Sequence, residues 1–473
     1  MVRTPPVDRA ATVVAAVHRA LVERAGVDLP VRLWDGSTLG AHDAGFRVVL
    51  HHPWSLRSLL LPPTDLNAGE AYVLGHVDVE GDLFAALGLL HRVTELRPSV
   101  GERVDLARML LRLPRPPRRP TDRRARLRGR QHSLERDRAA IAFHYDLPHA
   151  FYRAFLDEDL VYSCAYFADP AEPLETAQRR KLDLVCRKLR LDADTRLLDI
   201  GCGWGSLLLH AAGRYGSRGV GVTLSETQAE VARERIAAAG LENRLEIRLQ
   251  DYRELEDTFD AVASIGMVEH VGPDGLPEYL STVHRLLRDG GTFLNHGITT
   301  GNRADEVRVG GTRDFIGAYV FPDGGLVPAW HMTRELERAG FEVVDLEQLR
   351  PHYALTLRAW VARLEANRET ALAASSEEDV RIWRLYMAGS AMGFEAGRLG
   401  VIQLLGSKGA TLPFGRAWML PDVSAGSHDG HAARRPADGA APRPPQGSVP
   451  SHPGAPAPTS RPPDAAESGS PAS

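Results

Sequence analysis

The sequence is poor in cysteine, with Cys164, Cys186 and Cys202 the three among 473 residues. Their spacing fits neither a disulfide framework nor a metal-ligand pattern, which points to a reducing, cytoplasmic setting and a site without metal. Long apolar runs are missing as well. No stretch approaches the ~20 residues a membrane helix needs, so any membrane contact is expected to be peripheral. The N-terminus lacks the charged-then-apolar layout of a signal peptide. Net charge is only −4, so no global field calls for nucleic acid. What is present is 43% hydrophobic residues, enough for a sizeable core, and a length that predicts two domains plus extensions.

Along the chain, 8–25 has helical periodicity, 31–34 and 46–51 read as short strands, and 66–74 reads as a helix. Together they predict a small α+β domain over 1–110. An Arg/Pro-rich linker follows over 111–134; residues 112–130 hold nine arginines, four prolines and one acidic residue, Asp122. That run fits a solvated linker. Composition alone favours that reading; the sharper one is a docking strap for anionic lipid headgroups, where each basic residue contributes on the order of 1 kcal/mol. No aromatics interleave with the arginines to stack bases, which speaks against nucleic acid.

From 135 to 420, strands at 195–200, 219–223, 245–251, 259–265, 291–298 and 341–348 alternate with helices at 173–189, 205–214, 225–239, 276–288, 331–339, 356–367 and 379–397. Such alternation predicts an α/β, doubly wound, Rossmann-like parallel sheet whose ligands lie beyond the carboxyl ends of the strands. Residues 421–473 carry twelve of the 32 prolines and few large apolar side chains, and read as a disordered tail.

The organising stretch is Leu197 to Gly205, LLDIGCGWG. A strand end meets three alternate glycines, Gly201, Gly203 and Gly205, and a helix beginning at Ser206. That pattern makes a nucleotide-type site, although a Gly-rich turn alone can be an ordinary tight turn. The spacing is shorter than the dinucleotide fingerprint. The next strand ends in Thr223-Leu224-Ser225-Glu226-Thr227-Gln228, with no acidic residue directly at its end to grip a ribose. Both features disfavour NAD and favour S-adenosylmethionine. Four chemistry-bearing residues fall on the same predicted rim: Cys164 before the first sheet strand, Glu269 past the strand 259–265, His296 closing the strand 291–298, and Tyr353 before a helical run. Each alone also fits a structural role: a buried thiol, a capping carboxylate, a strand-end His, a packed aromatic.

In order along the chain, YSCAYF, LLDIGCGWG, TLSETQ, SIGMVEHVG, FLNHGIT, FPDGGLVP, HYALTLRAW and RLYMAGSAMGFEAG closely resemble the cyclopropane-fatty-acyl-phospholipid synthase family, which includes the mycolic acid cyclopropane synthases. The resemblance covers 140–410, and Leu66 to Tyr72 resembles the accessory domain of the bacterial phospholipid enzymes. It implies a class I methyltransferase sheet. It assigns cofactor contacts to Tyr162, Ser163, Asp199, Gly201, Cys202, Gly203, Trp204, Gly205, Thr223, Leu224, Ser225, Gln228, Asp251, Tyr252 and Ile265. It also implies a bound bicarbonate held by Cys164, Glu269, His296 and Tyr353, with the Ile298 backbone as a further donor. The implied partner is an unsaturated phospholipid met at the inner face of the cell membrane, and a homodimer is left open. In this chemistry the methyl adds to a cis double bond, and a cation forms in the chain. A base then removes a proton and the ring closes. Aromatic faces such as Tyr166 or Phe167 are expected beside the cation, in a dry pocket. The alternatives are a C-methyltransferase making methyl- or methylene-branched chains, a small-molecule methyltransferase, and a lipid-binding protein with a vestigial site.

Overall fold

The computed structural model describes residues 9–419 apart from 27, 42–44, 96–98, 118–122, 132, 146 and 302–313. The expected tail over 421–473 lies outside the described residues. Among the described residues the strands form two sheets. The first holds β1 (Val31–Arg32), β2 (Thr38–Leu39), β3 (Phe46–Leu50) and β4 (Val77–Gly81) in the order β2-β1-β3-β4. The second holds β5 (Arg196–Ile200), β6 (Arg218–Thr223), β7 (Leu245–Leu249), β8 (Phe259–Ile265), β9 (Leu287–Thr300), β10 (Glu342–Gln348) and β11 (Leu399–Ser407). Its order is β10-β11-β9-β8-β5-β6-β7.

The second sheet is the doubly wound sheet that the alternation predicts. β7, β6, β5, β8 and β9 pair in parallel in that order. β5 is the switch point: β6 and β7 extend to one side and β8 returns on the other. The carboxyl ends of β5 and β8 therefore flank an open crevice, the usual ligand position in such a sheet. One strand is additional to the sequence reading. β11 runs antiparallel between β9 and β10. Its segment LGVIQLLGS is buried over almost its whole length. A strand covered on both faces shows no polar alternation, which hides it directly after a helix.

Two helices begin earlier than their periodicity suggests. Val268–Leu286 is a pair of helices meeting at Gly272 (φ 70°, ψ 172°), with Pro273 opening the second. The first turn is masked in sequence by these breakers, and it carries Glu269 directly off β8. Likewise Arg350–Ala366 has a proline in its first turn, so Tyr353 lies inside the helix rather than before it.

The N-terminal layer packs on the helix Glu377–Glu395 through the helices Asp65–Val73 and Leu83–Glu95. Arg381 fixes this contact. It donates to the Tyr72 carbonyl at 2.9 Å, to Asp78 at 2.6 Å and to Glu377 at 2.8 Å. The linker adds a clamp. Arg123 pairs with Asp379, Arg124 lies 3.7 Å from Glu70, and the Ala125 N–H donates to the Ala318 carbonyl at 2.8 Å. Two of the five arginines over 123–130 are thus turned onto the protein, while Arg126, Arg128 and Arg130 are exposed. Among the described residues no helix is long and apolar enough to cross a membrane.

Candidate active site and cofactor cavity

A cavity opens at the carboxyl ends of β5, β6, β7 and β8. Of the expected cofactor residues, its wall contains Tyr162, Ser163, Asp199, Gly201, Cys202, Gly203, Trp204, Thr223, Leu224, Gln228, Asp251, Tyr252 and Ile265. Gly203 has φ +53°, and a Cβ built there meets nothing within 4 Å. Gly205 and Ser225 stand behind the wall. A Cβ on Gly205 would touch Ala232 at 3.4 Å, so this glycine allows close packing of two helices. Ser225 caps the helix Glu226–Ala238, accepting the Gln228 N–H at 3.3 Å.

The wall also holds residues that sequence reasoning missed: Lys181, Arg253, Met267, His270 and Tyr145. Lys181 is 1% exposed and donates from Nζ to Ser163 Oγ at 2.8 Å. Burial pulls its ammonium down to about 8, against the nearby Asp157. Burial likewise pushes Asp199 up to about 7, moderated by Lys181. Asp251 accepts from Arg253 on both oxygens, at 2.9 and 2.8 Å. A signal for Lys181 exists in the sequence. The buried positions of Leu174–Lys188 recur every three or four residues, and Lys181 falls on that stripe.

A second cavity, of about 940 Å³, meets the first. Tyr145, Tyr162, Ser163 and Gly266 line both. Cys164, Glu269, His296 and Tyr353 all stand in the second wall, so the fold brings these four together at the junction of two spaces of different character. Burial keeps each of them neutral or nearly so. The Cys164 thiol and the Tyr353 phenol are pushed up, and His296 is held well below its usual range. Glu269 rises to about 7 for the same reason, partly offset by its hydrogen bond from Ile298.

That bond corrects one expectation. The Ile298 N–H donates to Glu269 Oε1 at 2.7 Å, so it positions the carboxyl rather than serving an anion directly. Glu269 Oε2 is buried without a partner among the described residues, and so is His296 Nε2. The Gln403 amide nitrogen lies 3.2 Å from His296 Nδ1. With Nδ1 accepting, the proton of the neutral ring rests on Nε2 as an open donor. Gln403 is a positioning residue the sequence reading missed along with β11. A second correction concerns the aromatics. Tyr166 stacks on His352 and donates to Glu347 at 2.9 Å, and neither it nor Phe167 lines the cavity. Tyr145, Tyr162, Phe321, Tyr386 and Phe394 do.

The raised Glu269 carboxyl predicts a pH effect. It stays protonated in the fold while it ionises in the unfolded chain. Its contribution to stability is whole below its ordinary 4.5, fades as pH rises, and is gone above about 7. Across that window the stability of the wild type should fall relative to Glu269→Gln by about 3 kcal/mol. Asp199 titrates in both proteins and cancels. Urea unfolding of the two proteins on either side of the window checks this; a constant difference would contradict it.

A family model described as mycolic acid cyclopropane synthetase matches residues 132–404. A probable fatty acid methyltransferase of Pseudomonas putida is 39% identical over 383 residues, covering 80% of this chain and 92% of the relative. The cyclopropane-fatty-acyl-phospholipid synthase of Escherichia coli K12 is 38% identical over 266 residues, covering 56% of this chain and 67% of the relative. Among solved structures, the mycolic acid cyclopropane synthase CmaA1 complexed with SAH and CTAB superposes with a TM-score of 0.54 at 33% identity, covering 57% of this chain and 97% of that one. The second sheet is accordingly a class I methyltransferase sheet, and the chain belongs to the mycolic acid cyclopropane synthetase family.

Proposed function

We propose that the chain is a cyclopropane-fatty-acyl-phospholipid synthase, acting on a cis double bond in an acyl chain of a membrane phospholipid. One observation carries this reading. A cavity at the cofactor position of the sheet meets a large apolar cavity, and the open polar atoms of Glu269 and His296 stand at the meeting point. S-adenosylmethionine, when bound, supplies an electrophilic methyl. Bicarbonate, when bound, supplies a base for the proton that must leave the transferred methyl.

The residues fit both groups. Gly203, Asp199 and Gln228 line the space at the ends of β5 and β6 that an adenosine would fill. Glu269 Oε2, when protonated, and His296 Nε2 are two buried polar atoms without a partner among the described residues, which suits a small anion. Cys164 and Tyr353, both held protonated, line the same cavity without competing for the methyl. The surrounding wall is apolar and aromatic, so water that would trap the cation is excluded, and Tyr162 and Tyr386 stand in that wall as aromatic groups that can stabilise a cation.

A second reading has its own support. The relative matching 80% of the chain is named a fatty acid methyltransferase. In that reading the cation loses its proton without closing a ring, and the product is branched. Lipid mass spectra after expression in a host lacking the activity, taken before and after ozonolysis of the remaining alkenes, decide between them. Each product gains one CH₂, and only ring closure removes the alkene. No gain on any unsaturated chain would refute both readings.

An acyl chain cannot cross water at ~0.8 kcal/mol per CH₂, so the enzyme is expected to work docked on the bilayer, at the inner face of the cell membrane. Among the arginines over 123–130, the exposed Arg126, Arg128 and Arg130 are the ones left to serve as a strap. Replacing these three with Gln should weaken binding to anionic vesicles severalfold and flatten its salt dependence. Equal binding by both proteins at low and high salt would remove the strap.

A further inference from the structure

The large cavity does not end in the catalytic sheet. From Glu269 and His296 it runs on between the two layers, and its far wall is built by the N-terminal residues Val14, Leu21, Leu50, Leu59, Ala86 and Leu90. These come from three helices and a strand, and all lie outside the family match at 132–404. Protein interiors keep few voids larger than a water molecule. At about 940 Å³ this one is at the upper end of ordinary ligand sites.

We propose that this N-terminal compartment binds the methyl-terminal segment of the acyl chain, the part beyond the double bond. The inference rests on the functional reading above, because it takes the reacting double bond to lie at Glu269 and His296. A mid-chain double bond held there leaves half of the chain to be housed further in. Charge decides which half. On the N-terminal side the rim carries the acidic Asp65, and His18 is engaged with the Leu29 carbonyl at 2.6 Å. A phosphate is repelled by Asp65. A terminal methyl carries nothing that the Leu and Val wall must solvate.

The compartment then measures the distance from double bond to chain end. Three phospholipids separate that distance from the others. Oleoyl chains are longer beyond the double bond than palmitoleoyl or cis-vaccenoyl chains. Cis-vaccenoyl chains are longer before it. Ala86 is buried in the far wall, so Ala86→Phe shortens the compartment. A misfit of one or two methylenes in an apolar pocket is worth about 10–200-fold, so kcat/KM should fall by at least about tenfold for oleoyl and least for the other two. Leu90→Ala lengthens the compartment and should shift preference toward oleoyl. Affinity for S-adenosylhomocysteine, measured by calorimetry, should be unchanged in both and shows that each is folded. An equal loss on all three lipids, a largest loss on cis-vaccenoyl, or no change in either variant overturns the proposal. If the wild type turns over none of the three lipids, the functional reading fails. The compartment is then judged by binding alone: cis-parinaric acid must lose affinity in Ala86→Phe, and retained affinity overturns it.

Discussion

Glu269→Gln should cut turnover of unsaturated phospholipid by about 10²–10³, the usual result of removing one group that stabilises a reaction centre. Affinity for S-adenosylhomocysteine should stay near that of the wild type, because Glu269 lines the apolar cavity and not the cofactor wall. The substitution is nearly isosteric, and a glutamine oxygen can still accept the Ile298 N–H. What disappears is proton exchange. A carboxyl held at about 7 can lend its proton to a neighbouring anion and take it back, whereas an amide cannot. If methyl transfer survives, the cation must lose a different proton or capture water. Traces of branched alkene or hydroxylated chain should then accompany the loss of ring product. Wild-type turnover in the variant would remove this carboxyl from the step. A loss that merely tracks cofactor affinity would make it a binding residue.

Gly203→Val should abolish useful cofactor binding, weakening the S-adenosylhomocysteine complex by about 10²-fold, or ~3 kcal/mol. The backbone at Gly203 has φ +53°, and a branched side chain there costs about 1–2 kcal/mol of stability. The larger effect comes from space. Nothing of the described protein lies within 4 Å of a Cβ built there, and Gly203 lines the cavity, so valine methyls should intrude on the space a ligand needs. Gly205→Val makes the contrast. Its side chain would press on Ala232, so it should lower the melting temperature. Undiminished affinity in a folded Gly203→Val protein would show that the ligand does not approach this turn.

Much of the sheet was legible because β5, β6, β7 and β8 are short apolar runs closed by turn residues at regular spacing. β11 was not, because a strand buried on both faces has the composition of a helix core. Gln403 went unread with it: its meaning comes from standing across the ladder from His296. The order of elements around Glu269 was hidden by Gly272 and Pro273, which read as a loop and act as a corner. Lys181 was legible in principle. Only three of the 57 basic Lys and Arg residues are lysines, and Lys181 and Lys188 are both buried. A chain that otherwise uses arginine keeps two of its three lysines in the interior. The linker shows the opposite limit. Nothing in its composition separates Arg123 and Arg124, which face carboxylates of the fold, from Arg126, Arg128 and Arg130.

His296 sits in one row of the sheet, with Ile265 of β8 on one side and Gln403 of β11 on the other. A strand hydrogen-bonded along both edges exchanges its amide hydrogens only when the whole sheet opens. The far wall of the apolar cavity is tied differently, by short strands such as β1 and by helix contacts with the rest of the fold. Hydrogen exchange should therefore divide the molecule into a slow unit around His296 and a faster one around Val14, Leu50 and Ala86. Two clocks in one chain would let a long lipid tail thread in and out on the timescale of local breathing, while the atoms proposed to handle its proton keep their places from one turnover to the next.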